Sequence, residues 1–180
     1  MLGIRPYKKC DAQKIASWCK DKKTFLYWGG ERFGSFPLLP DAINEKYYEK
    51  NGDCEEPDNF YPFTAFDGDD LVGHFIMRYV NRDKQTIRFG FVIVDSEKRG
   101  KKYGQTMLKQ GLLYAFEMLK AKKVTIGVYD GNDAAYHCYT SLGFRESKET
   151  PFTYDEVNGE QWKRIELEIT KEEYEKREIN

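Results

Sequence analysis

The sequence predicts a single α/β domain of the α+β kind, with a central mixed, mostly antiparallel twisted sheet of about seven strands and helices on both faces. Three observations carry that expectation. Phe60–Phe66, Leu71–Val80 and Gln85–Val94 are apolar strand-like runs separated only by the turns Asp67-Gly68-Asp69-Asp70 and Asn81-Arg82-Asp83-Lys84, the pattern of an antiparallel meander. From Arg88 to Leu119 a strand pattern passes through a charged, glycine-containing turn into a long helical stripe. A second strand and helix, Lys123–Tyr129 and Asp133–Leu142, then precede a hairpin built on Asn158-Gly159, a strong type I′ signal.

Composition sets the outer limits. The chain has 180 residues, 40% hydrophobic and 33% charged, enough apolar content for one real core and too much for disorder. Aromatic residues reach 16%, which suits both a bulky core and an aromatic-lined pocket. A net charge of −1 supplies no global basic field, so nucleic acid is not an expected partner. Cys10, Cys19, Cys54 and Cys138 show no Cys-x-x-Cys spacing, and only two histidines accompany them, so no metal site is expected and free thiols in a reducing cytosol are. No apolar leader or membrane-length run is present, so the expected location is cytoplasmic, away from membranes.

Taken in order, Gly3–Tyr7 reads as a short extended segment closed by Arg5-Pro6. Asp11 can cap a helix carrying Ile15, Trp18 and Cys19 on one face. Residues 24–40 are aromatic and turn-rich, a loop with short helix. Asp41 opens a helix over Ala42 to Lys50 that Asn51-Gly52 ends, and 51–59 form an acidic surface loop. After the meander, residues 103–119 form a core-packed helix, with Gly111 either tolerated or permitting close approach to the sheet. Residues 149–157 and 160–169 are the last hairpin, with Ile165, Leu167 and Ile169 on a buried face. Residues 1–170 are expected to form the domain, and 171–180 a charged, frayed C-terminal helix.

Two constellations carry chemistry. Residues 88–104 run from strand into a Lys/Gly loop at a helix start, which gathers backbone N–H groups and the positive helix end at one spot, an anion site. Gly104 is followed by Gln105 rather than Lys and Ser/Thr, so this is not a nucleotide P-loop, and no Gly-x-Gly-x-x-Gly is present for a dinucleotide. The second is Asn132-x-x-Ala135-x-x-x-Tyr139-x-x-x-Gly143-Phe144, whose spacings keep a polar cap, a small residue and a phenol on one stripe. A helix cap and a core aromatic are the plain readings of Asn132 and Tyr139 taken singly.

Together the two motifs resemble the GNAT superfamily of N-acetyltransferases. Residues 92–104 look like its strand and Arg/Gln-x-x-Gly-x-Gly/Ala pyrophosphate loop, and 132–144 match its Asn…Ala…Tyr…Gly-Phe helix. The style is that of the ribosomal-protein N-terminal acetyltransferase and polyamine acetyltransferase branches. The resemblance implies acetyl-CoA as co-substrate and direct transfer of an acetyl group to the primary amine of a small molecule or a peptide N-terminus. It implies pantetheine along Val92, Ile93 and Val94, pyrophosphate on Arg99, Gly100, Lys101, Lys102, Tyr103, Gly104 and Gln105, and Asn132 and Ala135 beside the pantetheine arm. Tyr139 would face the sulfur and stabilise or protonate the CoA thiolate. Lys102 departs from the pattern where the family has its first loop glycine, so an ordinary helical φ with the side chain turned aside is expected there. The central strand, Arg88-Phe89-Gly90-Phe91, lacks the Glu that some relatives use as base, leaving Glu31, His74 and Asp95 as candidates. Family loops around the amine correspond to Trp28–Phe36, 51–60 and 150–160. A non-catalytic acyl-CoA-binding regulator of the same fold is the alternative, and a monomer or a homodimer is equally compatible with the sequence.

Overall fold

The computed structural model describes residues 1–178. Strands β1 (Leu2–Pro6), β2 (Tyr61–Asp67), β3 (Asp70–Tyr79), β4 (Thr86–Val94), β5 (Lys123–Tyr129), β6 (Arg145–Glu146), β7 (Phe152–Val157) and β8 (Glu160–Thr170) form one eight-stranded sheet in the order β1-β2-β3-β4-β5-β8-β6, with β7 also pairing β8. The helices are α1 (Ala12–Trp18), α2 (Lys22–Tyr27), α3 (Pro40–Asn44), α4 (Tyr103–Leu113), α5 (Asp133–Ser141) and α6 (Lys171–Glu178). Both α3 and α4 run on through a wider π-type turn, at Glu45–Glu49 and Tyr114–Met118.

Alternation along the strands feeds a core on each face. Phe75, Met77, Ile87, Phe89, Val124 and Ile126 point to the face covered by α4, α5 and α6, while Ile76, Ile93 and Tyr129 meet Trp18, Phe25, Trp28 and Ile43 of the α1–α3 layer. Gly111 lets α4 lie close on the sheet: a Cβ there would fall 2.9 Å from the Phe75 ring.

Every adjacent strand pair is antiparallel except β4–β5. That parallel ladder covers only Thr86–Phe89 against Lys123–Ile126, although β4 continues to Val94 and β5 to Tyr129. The cause is visible in β4. Its register against β3 jumps from Ile76↔Gly90 to His74↔Ile93, a bulge, and Phe91 within it adopts φ +47°. The bulge turns the end of β4 away from β5, so the strands splay and leave facing backbone edges free. The Phe91 ring packs edge-on against Phe33 at 4.7 Å and against Trp28 at 5.7 Å, which holds the strained residue in place.

Three local expectations are corrected. Asp11 does not cap α1 through its side chain. Its buried carboxylate accepts from both Arg5 Nη atoms (2.7 and 2.8 Å), the Lys8 N–H (2.9 Å) and the Thr64 hydroxyl (2.8 Å). Burial alone would raise this carboxyl, but those donors hold it below its usual range. The helix expected to open at Asp41 begins at Pro40, a favoured first helical position because proline lacks the N–H that would go unpaired. The segment expected to be frayed, 171–180, is a docked helix as far as it is described. Thr170 and Glu173 cap each other, Arg145 pairs with Glu173, and Tyr174 is buried against Phe116 at 5.0 Å between centroids. Asn180 and Ile179 lie outside the described residues.

Candidate active site

The β4/β5 splay opens into a cleft of about 1340 Å³ that reaches both faces of the sheet's free edges. One end is built from the turn after β4 and the start of α4. The first-turn amides of α4 have no side-chain cap, and Tyr103, Gly104 and Gln105 line the cleft beside Lys98, Arg99 and Gly100. Uncapped N–H groups, the Arg99 guanidinium and the Lys98 ammonium, itself held by Asp70 at 2.5 Å, make this end complementary to a phosphate.

Lys102 sits at the N-cap of α4 with φ +60° and ψ 16°. The expected helical φ is therefore wrong: the chain keeps the left-handed backbone that a glycine would favour and spends about 1–2 kcal/mol on holding a side-chain-bearing residue there. The reason is the turn itself, in which Gly100 also has φ +80° and which must reverse before α4 can start. At Gly104, by contrast, a Cβ would meet only Cys138 Sγ and Val94 Cγ2, both at an ordinary 3.5 Å. Packing does not require glycine at 104; a ligand lying close on that backbone would.

Helix α5 forms the opposite wall. Asn132 is its N-cap, accepting from the Ala135 N–H at 3.4 Å, so the plain capping role holds and the side-chain NH2 is left over. Ala135, His137, Cys138 and Tyr139 follow along the cleft. Tyr139 is buried, packs edge-on to Phe144 at 6.4 Å, and its hydroxyl has no hydrogen-bond partner among the described residues. Burial pushes its phenol above the usual value, and the same desolvation pushes the neighbouring Cys138 thiol up to about 11.

Of the residues assigned by sequence, Val92, Ile93, Val94, Arg99, Gly100, Lys102, Tyr103, Gly104, Gln105, Asn132, Ala135 and Tyr139 line this one cleft. Lys101 is exposed and does not. The three base candidates also lie elsewhere. His74 is fully buried with Nε2 2.7 Å from the Tyr47 hydroxyl, and desolvation lowers it to about 3. Glu31 accepts from the Asn158 N–H at 3.0 and 3.1 Å. Asp95, also buried, caps the turn at Glu97. None of the three lines the cleft.

The other end of the cleft receives Trp28, Gly29 and Arg32 and the loop residues Asp53, Cys54, Glu55 and Glu56, as expected of two of the three loops named for the amine. The 150–160 segment instead borders a smaller hollow with Glu31 and Arg32. Lys46 pairs with Asp53, and Arg82 lies 3.4 Å from Glu56 and 4.0 Å from Glu55, so the acidic loop is largely neutralised by its own neighbours. Sequence reasoning missed Arg78, Arg88 and Arg164, which also line the cleft. The signal was present: reversing the chain over Asn81–Lys84 sets Arg78 opposite Arg88 in otherwise apolar strands.

A family model described as the acetyltransferase (GNAT) family matches residues 18–144, a span holding both motifs. A spermidine N(1)-acetyltransferase of Vibrio cholerae is 25% identical over 146 residues, covering 81% of this chain and 79% of that enzyme. A crystal structure of spermidine N-acetyltransferase from Vibrio cholerae in complex with CoA and spermine superposes with a TM-score of 0.77 at 23% identity, over 96% of this chain and 97% of that one. A dodecameric structure of spermidine N-acetyltransferase from the same species gives 0.71 at 22% identity, over 98% and 97%. No group of three or more His, Cys, Asp or Glu able to hold a metal occurs among the described residues, and no helix there is long and apolar enough to cross a membrane.

Proposed function

The chain belongs to the acetyltransferase (GNAT) family, and on that premise we propose that it moves an acetyl group from acetyl-CoA directly to the primary amine of a small molecule, within the β4/β5 cleft. The observation that supports this reading best is the conjunction of the splayed strand edge with Tyr139: a free backbone edge for an extended pantetheine leads to an unpartnered phenol.

The residues fit the co-substrate. The uncapped amides at the start of α4, with Lys98, Arg99 and Lys102, would hold the pyrophosphate, and the β4 edge at Val92–Val94 would hydrogen-bond the pantetheine amides. The leftover Asn132 NH2 would add a donor beside the arm, and Ala135 would leave room for it. Acetyl-CoA supplies an activated thioester; the protein must let a neutral amine attack it and must stabilise the departing thiolate. A phenol near pKa 10 is a weaker acid than a thiol near 8.5, and burial raises Tyr139 further. Tyr139 therefore acts as a neutral hydrogen-bond donor to sulfur more than as a full proton donor.

None of Glu31, His74 and Asp95 lines the cleft, so the amine arrives neutral or loses its proton to water. The likeness to the Vibrio spermidine N(1)-acetyltransferase supports spermidine and other polyamines as acceptors to test, alongside peptide N-termini and amines bearing other groups. Thiol release from acetyl-CoA should depend on added amine, with the acetylated amine identified by mass spectrometry. Binding of acetyl-CoA with no acceptor turned over would instead support the regulatory reading.

A further inference from the structure

Building on the reading above, we infer that the acceptor amine also carries an oxyanion, a carboxylate or a phosphate, and that Arg78 is the residue that receives it. Besides Arg82, which faces Glu55 and Glu56, four guanidinium groups line the amine end of the cleft. Arg78 on β3 and Arg88 on β4 are direct cross-strand partners, and Arg164 on β8 and Arg32 before α3 complete the group. Arg88 and Arg164 converge closely: a Cβ on Gly127, between them on β5, would lie 2.7 Å from Arg88 Nη2 and 2.7 Å from Arg164 Cδ.

The available anions do not match these cations. Glu166 takes Arg88 at 2.7 and 3.2 Å and Arg164 at 2.7 Å. Asp155 takes Arg164 and stands 3.8 Å from Arg32. Both carboxylates are thereby engaged with the other three arginines. The guanidinium of Arg78, half-buried in the cleft wall, makes no hydrogen bond or ion pair among the described residues. The one acidic-type group that acts on it, Cys54, is a thiol that burial pushes up and so keeps neutral.

Two arginines directly opposed across antiparallel strands repel, and a half-buried guanidinium without a partner forfeits hydration that nothing replaces. Such an arrangement is costly in the empty protein and favourable once an anion enters. The planar fork of arginine suits carboxylate and phosphate alike. A polycation meets the opposite situation, because the acidic residues at this end already serve Lys46 and Arg82.

The test uses matched acceptors with the intact protein and acetyl-CoA. An α-amino acid is compared with its amide, phosphoethanolamine with ethanolamine, and both pairs with spermidine. We expect the oxyanion-bearing member of at least one pair to have a kcat/KM ten- to a hundredfold above its neutral partner and above spermidine, and the pair that responds identifies carboxylate or phosphate. Arg78→Gln should collapse that ratio toward one through KM for the anionic acceptor, and Arg78→Lys should recover part of it. Circular dichroism melting checks that each variant is folded. If neutral amines or spermidine match the anionic acceptors and the ratio ignores Arg78→Gln, the inference fails while acetyl transfer stands. If no amine is turned over at all, the transferase reading fails first and this one with it.

Discussion

Lys102 and Gly104 show how the loop divides its burdens between neighbouring residues. Lys102 holds a left-handed φ that costs about 1–2 kcal/mol, whereas Gly104 has an ordinary helical backbone and only ordinary 3.5 Å contacts around its missing Cβ. Removing strain is thus not what Gly104 is for. Gly104→Ala should leave the melting temperature unchanged or slightly raised, since alanine is the better helix former by about 1 kcal/mol. The same variant should raise KM for acetyl-CoA about tenfold, if pyrophosphate lies on that amide; an unchanged KM would remove Gly104 from the proposed site. The residue scale also holds what the sequence concealed. Helical spacing revealed Asn132, Ala135 and Tyr139 because a single helix face gathers them. The position of His74 was not legible, because its burial depends on Tyr47, Trp28 and Tyr7 arriving from three separate segments.

Among the elements, β4 organises the site. Its first half pairs with β5 and its second half does not, and the change falls at the bulge around Phe91. The strand, its length and its neighbours in the meander were readable from alternation. The bulge was not, since a positive φ is favoured by Gly or Asn, and the chain places Phe there and holds it by ring packing instead. The apolar stripe of helix α4 was readable, whereas its wider turn at Tyr114–Met118 was not and the choice at Gly111 stayed open. With Phe75 2.9 Å from the would-be Cβ, close packing is the reason for that glycine. Gly111→Ala should accordingly destabilise the protein by up to about 2 kcal/mol net, the overpacking cost of about 1–3 kcal/mol less the helical gain of about 1 kcal/mol. Chemical denaturation measures this directly, and a more stable variant would show that α4 can shift away from the sheet.

Across the whole molecule, two cores on opposite faces of one sheet fix the helices that bracket the cleft, and the layer of α1–α3 keeps His74 dry. That layer makes a pH-dependent contribution to stability. Desolvation depresses His74 to about 3, against a usual value near 6.5, so the fold selects the neutral ring. Its contribution is fully present above pH 6.5 and is lost progressively as pH falls through the window down to about 3. Between pH 6.5 and 5, above the usual carboxylate range, the wild-type melting temperature should fall as acid is added, and His74→Gln should flatten that slope. A slope that survives the substitution would assign it to another group.

The central claim is that the unpartnered Tyr139 phenol at the β4/β5 splay assists departure of the CoA thiolate. The most direct measurement is kcat for acetyl transfer by Tyr139→Phe beside wild type, with KM for acetyl-CoA and melting temperature recorded for both. A fall in kcat of about 10²–10⁴ is expected, with the other two quantities little changed. Equal turnover by the two proteins would contradict it.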